Sequence, residues 1–151
     1  MYNTPLIDTD ASRQAGASET VRPGGTLRVL IVEDEAMIAM LLAEVLREMG
    51  HEVCATAPTE DAAVAAAFRH KPDLMIVDEW LRQGSGISAV AEINRSGYIP
   101  HVFVTGDPLI TQSLAPGTIA IQKPFTMSEL VKAVKSALAG TDDDGFEPQP
   151  A

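Results

Sequence analysis

The chain has 151 residues and one cysteine, Cys54, so it is long enough for one domain with its own core and cannot form an internal disulfide or a cysteine-based metal site. That cysteine usage favours a reducing, cytoplasmic environment. With 11 basic and 21 acidic residues, the formal net charge is -10, which argues against direct DNA binding and favours protein partners.

Neither end of the chain resembles a targeting signal or a folded segment. No apolar run approaches the roughly 20 residues of a membrane span, so we expect no membrane contact. Residues 1–25 and the acidic residues 141–151 are rich in Thr, Ser, Gly, Pro and Asp and lack an apolar period. Such segments cannot bury enough surface to become ordered, so we predict two mobile tails around one domain at residues 26–140.

Within residues 26–140, apolar runs and helical periods alternate five times. Residues 29–32 predict a buried strand, and the helix after Glu35 is the clearest in the chain, ending near Gly50. Its predicted apolar stripe consists of Ile38, Leu41, Leu42, Val45, Leu46 and Met49. Residues 52–57 predict a second strand, and Thr59 is placed to cap an alanine-rich second helix.

The second half of this region repeats the same alternation. The elements predicted there are a strand at 74–78, a helix at 87–95, a strand at 101–104, a short fourth helix at 107–114, a strand at 119–121 and a last helix from 127. Thr126 and Glu129 have the spacing of a capping box at the start of that last helix. Five β-α units in this order predict an α/β protein with three layers, a parallel sheet between two layers of helices.

Acidic residues stand where two of the buried strands end. Glu33 and Asp34 follow the first strand, and Asp78 ends the third. Because the carboxyl ends of parallel strands share one edge of the sheet, we expect these three carboxylates to meet there. Like charges at such distances repel, so the site needs a cation, and both Lys123 after the fifth strand and a hard divalent metal would serve.

The order and spacing of Glu33-Asp34, Asp78, Thr105 and Lys123-Pro124 resemble the receiver domain of two-component response regulators. Gly86, eight residues after Asp78, also matches the family pattern. The resemblance covers residues 26–140 and implies a flavodoxin-like (βα)5 fold with strand order 2-1-3-4-5. It further implies a response regulator that is switched by phosphorylation.

The same resemblance implies roles for individual residues. Asp78 would accept the phosphoryl group, and Mg²⁺ would be held by Glu33, Asp34, Asp78 and the backbone carbonyl of Trp80. The phosphoryl group would be bound by Thr105, Gly106 and Lys123, and Pro124 would have a conformational role. Its donor would be a sensor histidine kinase or a histidine phosphotransfer protein. The receiver would catalyse only its own loading and slow phosphoryl loss, so it is not expected to be an enzyme acting on other substrates.

Several positions depart from the common receiver pattern. Ala120 occupies the place of an aromatic residue whose rotation reports phosphorylation in many receivers. Pro100, Phe103, Thr105 and Gly106 match part of the Phe-Ala-Thr-Gly subgroup, whose members are often stand-alone. The Val-Glu-Asp-Glu opening and the Lys-Pro-Phe ending resemble receivers of general stress response regulators. We expect a single-domain regulator that acts through contacts with an unknown downstream protein or as a phosphate sink.

Two other functions are compatible with the same acidic residues. One is a Mg²⁺-dependent phosphohydrolase with an aspartyl intermediate, although such enzymes usually have the nucleophile on the first strand. The other is a receiver-like binding module that works without phosphorylation. Among the neighbouring residues, Glu35 is expected to be a first-turn helix charge and Glu79 to face solvent, while Trp80 either packs on its loop or borders the site.

Overall fold

The computed structural model describes residues 25–109 and 114–144. Its strands are β1 Arg28–Val32, β2 Glu52–Ala57, β3 Leu74–Asp78, β4 His101–Thr105 and β5 Ile119–Gln122. Its helices are α1 Ala36–Glu48, α2 Glu60–His70, α3 Gly86–Asn94 and α4 Met127–Asp144. No helix in the described ranges is both long and apolar enough to cross a membrane.

The five strands form one sheet in the order β2-β1-β3-β4-β5, and every neighbouring pair is parallel. This confirms the predicted flavodoxin-like α/β fold. The strand β3 lies at the centre of the sheet and all of its residues are buried. A strand buried on both faces requires an almost continuous apolar run, which explains the sequence Leu74-Met75-Ile76-Val77.

The core is divided by the sheet into two parts. Val29 and Ile31 of β1 point toward the side covered by α1 and α4, where they pack with residues such as Leu42 and Leu130. The alternate residues of β1 pack on the other side, against residues of α2 and α3 such as Ala63 and Val90. The sheet is therefore covered by helices on both faces, as the predicted three layers require.

The predicted capping residues at the starts of two helices are confirmed. The Thr59 hydroxyl accepts a hydrogen bond from the backbone N–H of Ala62 at 3.0 Å, which caps α2. At the start of α4, Thr126 Oγ1 accepts from the N–H of Glu129 at 3.1 Å, and Glu129 Oε1 accepts from the N–H of Thr126 at 2.8 Å. This is the reciprocal pair of a capping box.

The predicted apolar stripe of α1 is wrong at Leu41, whose side chain is 61% exposed. The buried positions of α1 are Ala39, Leu42, Ala43 and Leu46, which follow one another at helical spacing. Small alanine side chains therefore face the sheet where larger residues had been expected. The reason is that the rotation of the helix is set by the whole sheet, which brings α1 close enough for alanine to fill the gap.

The last helix crosses the predicted domain boundary. The domain was predicted to end at residue 140, but α4 is described as far as Asp144. The predicted tail thus overlaps α4 by four residues, 141–144. Residues 1–24, 110–113 and 145–151 lie outside the described residues, so most of the two tails and of the fourth helix stays a prediction.

Candidate functional site

The carboxyl edge of the sheet brings together the residues that the sequence singled out. Glu33 and Asp34 follow β1, Asp78 ends β3, Thr105 ends β4 and Lys123 follows β5. These strands are neighbours in the sheet, so their ends form one cleft of about 400 Å³. Most of these side chains are buried although they are polar.

The three carboxylates are arranged as ligands for one cation. One oxygen each of Glu33, Asp34 and Asp78 lies within 4.8 Å of the others. Among the described residues, Glu33 Oε1 is buried and has no hydrogen-bond partner. A buried oxygen without a partner costs free energy unless a ligand satisfies it. The set fits Mg²⁺, which prefers a few carboxylates and keeps some of its waters.

Lys123 supplies a positive charge beside Asp78. Its Nζ donates a hydrogen bond to Asp78 Oδ2 at 3.1 Å and lies 3.9 Å from Glu33 Oε1. Burial favours the neutral amine, but the hydrogen bond and the charge of Asp78 outweigh it and raise the pKa of Lys123. The other oxygen, Asp78 Oδ1, accepts from the backbone N–H of Trp80 at 3.1 Å. Asp78 is thus held at both oxygens.

Glu33 is protonated more easily than an ordinary glutamate. Burial is the main cause and raises its pKa from an ordinary 4.5 to about 7, with the charge of Asp78 acting in the same direction. The backbone N–H of Glu35, which donates to Glu33 Oε2 at 3.1 Å, and the charge of Lys123 oppose this shift only in part. Without a bound cation, the site cannot easily hold all of its negative charges.

Thr105 lies at the end of β4 and is fully buried. Its hydroxyl accepts from the backbone N–H of Asp107 at 2.9 Å and donates to the carbonyl of Asp107 at 3.2 Å. The carbonyl of Thr105 accepts from the N–H of Lys123 at 2.7 Å, which ties the ends of β4 and β5 together. Gly106 lines the cleft beside Asp78. In this state the hydroxyl of Thr105 is engaged with its own loop.

The family model for the response regulator receiver domain matches residues 29–135 of this chain, which is most of its length. This chain belongs to the response regulator receiver family. The receiver and its two-component signalling class, which the sequence predicted, are therefore confirmed.

Two named proteins show which kinds of response regulator this chain is similar to. The transcriptional regulatory protein PdtaR of Mycobacterium tuberculosis is 40% identical over 116 residues, with 74% of this chain and 57% of PdtaR covered. The phyllosphere-induced regulator PhyR of Methylorubrum extorquens is 33% identical over 141 residues, with 88% of this chain and 53% of PhyR covered. The chain thus spans about half the length of these two curated relatives.

Solved structures agree with this placement. The PhyR receiver domain of Erythrobacter litoralis superposes with a TM-score of 0.70 at 33% identity and covers 83% of this chain and 95% of that one. The response regulator PhyR of Brucella abortus gives a TM-score of 0.72 at 35% identity and covers 78% of this chain and 49% of that one. The likeness to general stress response receivers, predicted from the Val-Glu-Asp-Glu and Lys-Pro-Phe stretches, is supported.

Two residues with predicted conformational roles lie beside the receiver site. Ala120 pairs with Phe103 of β4 in the sheet and is partly buried in the core on the α2 and α3 side. The bulk of an aromatic side chain at this position is therefore replaced by a methyl group. Pro124 follows a cis peptide bond from Lys123 and lines an apolar groove between α1 and α4.

The prediction for Glu79 is wrong. It was expected to face solvent, yet it is only 2% exposed, and among the described residues neither of its carboxylate oxygens has a hydrogen-bond partner. Burial is the main cause that raises its pKa, and the negative charges of Asp107 and Asp78 add to the shift. A further buried carboxylate, which the sequence reading missed, therefore follows Asp78 directly in the chain.

Arg82 is a second residue that sequence reasoning missed. It stands in the loop after β3, four residues beyond Asp78, and nothing in its local sequence indicates a site residue. Its backbone N–H donates to Asp34 Oδ2 at 2.7 Å, and its side chain lines the cleft together with Trp80 and Lys123. The side chain of Trp80 is exposed and borders the site, which was one of the two expectations for it.

Proposed function

We propose that this receiver accepts a phosphoryl group on Asp78 from a phosphohistidine. A carboxylate oxygen of Asp78 attacks the phosphorus, and the bond between phosphorus and the donor imidazole nitrogen breaks. The bonding electrons return to the nitrogen, which leaves a histidine on the donor and an acyl phosphate on Asp78. The observation that supports this role best is the position of Asp78, buried between the carboxylates of Glu33 and Asp34 and the ammonium of Lys123.

Neutralisation of charge is the chemistry that the site residues would provide. Glu33, Asp34, Asp78 and the backbone carbonyl of Trp80 would hold Mg²⁺, which stabilises negative charge on the transferred oxygens when it is bound. Lys123 would follow the charge from the Asp78 carboxylate to the phosphoryl group, since its flexible stem carries a mobile ammonium. The contact of 3.1 Å between Lys123 Nζ and Asp78 Oδ2 supports this role.

Thr105 would act as the switch. Its hydroxyl bonds to the backbone of Asp107 in the unmodified protein. A phosphoryl group adds roughly -1.5 to -2 charge and strong acceptor oxygens beside it, which would draw the hydroxyl of Thr105 and the N–H of Gly106 toward the site. Breaking the bonds to Asp107 would release the following loop, and Asp107 and that loop would report the phosphorylated state.

The donor would be a sensor histidine kinase or a histidine phosphotransfer protein, and it must reach the carboxyl edge of the sheet. Large apolar side chains are exposed near this edge, namely Met37 and Met40 in the first turns of α1, and Trp80 beside the cleft. Exposed apolar patches of this kind mark protein contacts. We therefore place the docking surface of the donor on α1 and the rim of the cleft.

The signal would leave the receiver through contacts with another protein. A structure from Bartonella quintana described as the anti-anti-sigma factor PhyR is similar, with 32% identity and a TM-score of 0.70. A protein with that description acts on other proteins. This supports a downstream protein partner for the present chain, in line with its net charge of -10.

Incubation with acetyl phosphate and Mg²⁺ tests the proposal. The parent protein should gain about 80 Da on intact mass spectrometry, the mass of one phosphoryl group. The adduct should be absent from Asp78→Asn and from samples with excess EDTA, and hydroxylamine should remove it because an acyl phosphate is activated toward nucleophiles. Asp61→Asn, which changes an exposed aspartate of α2, is the matched control and should still form the adduct.

Failure of the parent to form the adduct, or an adduct that persists in Asp78→Asn, would reject the role of Asp78. Continuous turnover of small phosphate esters would instead favour the phosphohydrolase. The receiver proposal requires that phosphate release stops when the bound acyl phosphate has been hydrolysed and the donor has been consumed.

A further inference from the structure

Arg82 lies at the mouth of the site and has no role in the reaction described above. Its side chain is 76% exposed, and Arg82 Nε lies 3.9 Å from Asp34 Oδ2. Its backbone N–H donates to the same oxygen at 2.7 Å. Arg82 therefore touches Asp34 in two ways. One contact is a backbone hydrogen bond that any residue except proline can make, and the other depends on the positive charge of the side chain.

The two contacts have different consequences for a cation at the site. The backbone bond orients Asp34, which contributes one carboxylate oxygen to the acidic cluster. The guanidinium competes with a metal ion for the same negative charge. A metal ion on Asp34 would weaken the ion pair between Asp34 and Arg82, and it would place its own positive charge near the guanidinium. Both effects oppose metal binding. Lys123 does not behave in this way, because it is held against Asp78 and lies deeper in the cleft.

We propose that the guanidinium of Arg82 is a competing cation that weakens Mg²⁺ binding at the phosphoryl-acceptor site. The inference rests on the proposed function only in taking Asp34 as a Mg²⁺ ligand. Arg82 neutralises part of the acidic cluster in the metal-free protein and gives up this contact when the metal enters. It thereby raises the Mg²⁺ concentration that the receiver needs before Asp78 can be loaded.

The expected size of the effect follows from the exposure of the pair. Exposed ion pairs contribute a small free energy that corresponds to about 1.5- to 5-fold in a binding constant, and salt screens it. Replacing Arg82 by alanine removes the charge but keeps the backbone N–H. The variant therefore isolates the effect of the guanidinium from the hydrogen bond that orients Asp34.

A Mg²⁺ titration of the full chain tests the inference. Trp80 is the only tryptophan, it lines the cleft, and its backbone N–H donates to Asp78 Oδ1, so its fluorescence reports on the site, and calorimetry gives a second readout. Arg82→Ala should lower the Kd for Mg²⁺ about 1.5- to 5-fold at low ionic strength. The difference should vanish in high KCl, and Arg82→Lys should keep most of the parental Kd.

Two controls make the result specific. Arg95→Ala removes a guanidinium that is 74% exposed and paired with Glu92, far from the cleft, and it should leave the Kd unchanged. In an Asp34→Asn background, Arg82→Ala should have much less effect because the shared carboxylate is gone.

An unchanged or weakened affinity in Arg82→Ala at low ionic strength would overturn the inference, since a merely orienting guanidinium gives one of these results. Such an outcome would leave the proposed function intact if the parent still binds Mg²⁺ and forms the acyl phosphate. A parent that binds no Mg²⁺ by either readout would reject the metal site and the inference together.

Discussion

At the scale of single residues, Gly86 at the start of α3 occupies a position that has no room for a side chain. The N–H of Gly86 donates to the carbonyl of Glu79 at 3.0 Å, which brings the start of α3 against the end of β3. A Cβ atom on Gly86 would lie 2.1 Å from the carbonyl oxygen of Asp78 and 2.6 Å from Val77 Cγ1. Backbone atoms at that distance cannot move aside without moving Asp78 itself.

Gly86→Ala should therefore damage both the fold and the site. Overpacking of this kind costs about 1–3 kcal/mol, so the free energy of unfolding in urea should fall by that amount. Phosphorylation by acetyl phosphate should also slow, because the shift displaces Asp78. Gly106→Ala is the matched control for stability, since its Cβ would meet no atom within 4 Å. Equal unfolding free energies for Gly86→Ala and the parent would contradict the steric argument.

Glu79 shows what a local pattern misses at this scale. Glu79 was expected to face solvent, as it would if β3 had one solvated face and its residues alternated between the two faces. However, β3 is the central strand of a sheet with helices on both faces. Both sides of its carboxyl end are therefore buried. The burial of Glu79 is a consequence of strand order, which its neighbours in sequence do not contain.

At the scale of elements, α1 joins the core to the site and to the outer surface. Ala39 and Leu42 pack against the sheet, while Met37 and Met40 are exposed. The sequence correctly predicted where α1 begins and ends but misplaced Leu41, because leucine and alanine positions give similar helical periods. Only the packing of α1 on the sheet distinguishes which of them is buried. The exposed positions of α1 are consequently the ones free to contact a phosphoryl donor.

Met40→Glu tests this surface of α1. The methionine is 68% exposed, so the change should leave the free energy of unfolding nearly unchanged. Transfer from a histidine phosphotransfer protein that loads the parent should slow about tenfold or more, the size expected for a central interface residue. Loading by acetyl phosphate should continue at the parental rate, because a small donor makes no contact with α1.

Tyr98→Glu is the control for that experiment. Tyr98 is also exposed, at 64%, but lies in the loop before β4, at the opposite end of the sheet from the cleft. Transfer to this variant should match the parent. If Met40→Glu and Tyr98→Glu slowed transfer equally, a general effect of added negative charge would replace the docking argument.

For the whole molecule, the sequence contained the number and order of the strands but not their arrangement in the sheet. Five alternating units predicted three layers from periodicity alone. The order β2-β1-β3-β4-β5 followed only from the resemblance to receivers, because parallel pairing joins residues far apart in the chain, such as Val29 with Leu74. Likewise, the meeting of Glu33, Asp34 and Asp78 could be predicted once parallel strands were assumed, whereas Arg82 lay on a loop whose path no local signal specified.

Part of the negative charge of the molecule lies at its site. The chain carries a formal net charge of -10, and Glu33, Asp34, Asp78 and Glu79 share one edge of the sheet. The folded-state pKa of Glu33 is raised from 4.5 to about 7, mainly by burial. Between these two values the folded protein holds more protons than the unfolded chain. Its free energy of unfolding therefore falls as pH rises through this window and levels off above it.

Thermal unfolding at pH 6 and pH 8, with Mg²⁺ or with EDTA, tests this coupling. In EDTA, Glu33 should lower the Tm at pH 8 relative to pH 6, because it has then lost the proton that the fold favours, while His51 and His101, whose pKa values are lowered by burial, act in the opposite direction. A metal ion that binds only the folded protein stabilises it by about 2.7 kcal/mol at a concentration 100 times Kd, and we expect this of Mg²⁺. That stabilisation should be larger at pH 8 than at pH 6, since a proton on Glu33 competes with the metal.

Glu33→Gln should remove the part of the pH dependence that Glu33 contributes in EDTA and so raise the Tm at pH 8 relative to that at pH 6, whereas Glu48→Gln, an exposed change at the end of α1, should leave the parental pH dependence unchanged. KCl at matched ionic strength separates screening from binding, because screening stabilises the fold without requiring the three ligands. Mg²⁺ stabilisation that is equal at both pH values would mean that Glu33 is already ionised at pH 6. The negative charge of the metal-free cluster would then be stabilised by Lys123 and by the backbone N–H groups of Glu35 and Trp80, and not by a proton on Glu33.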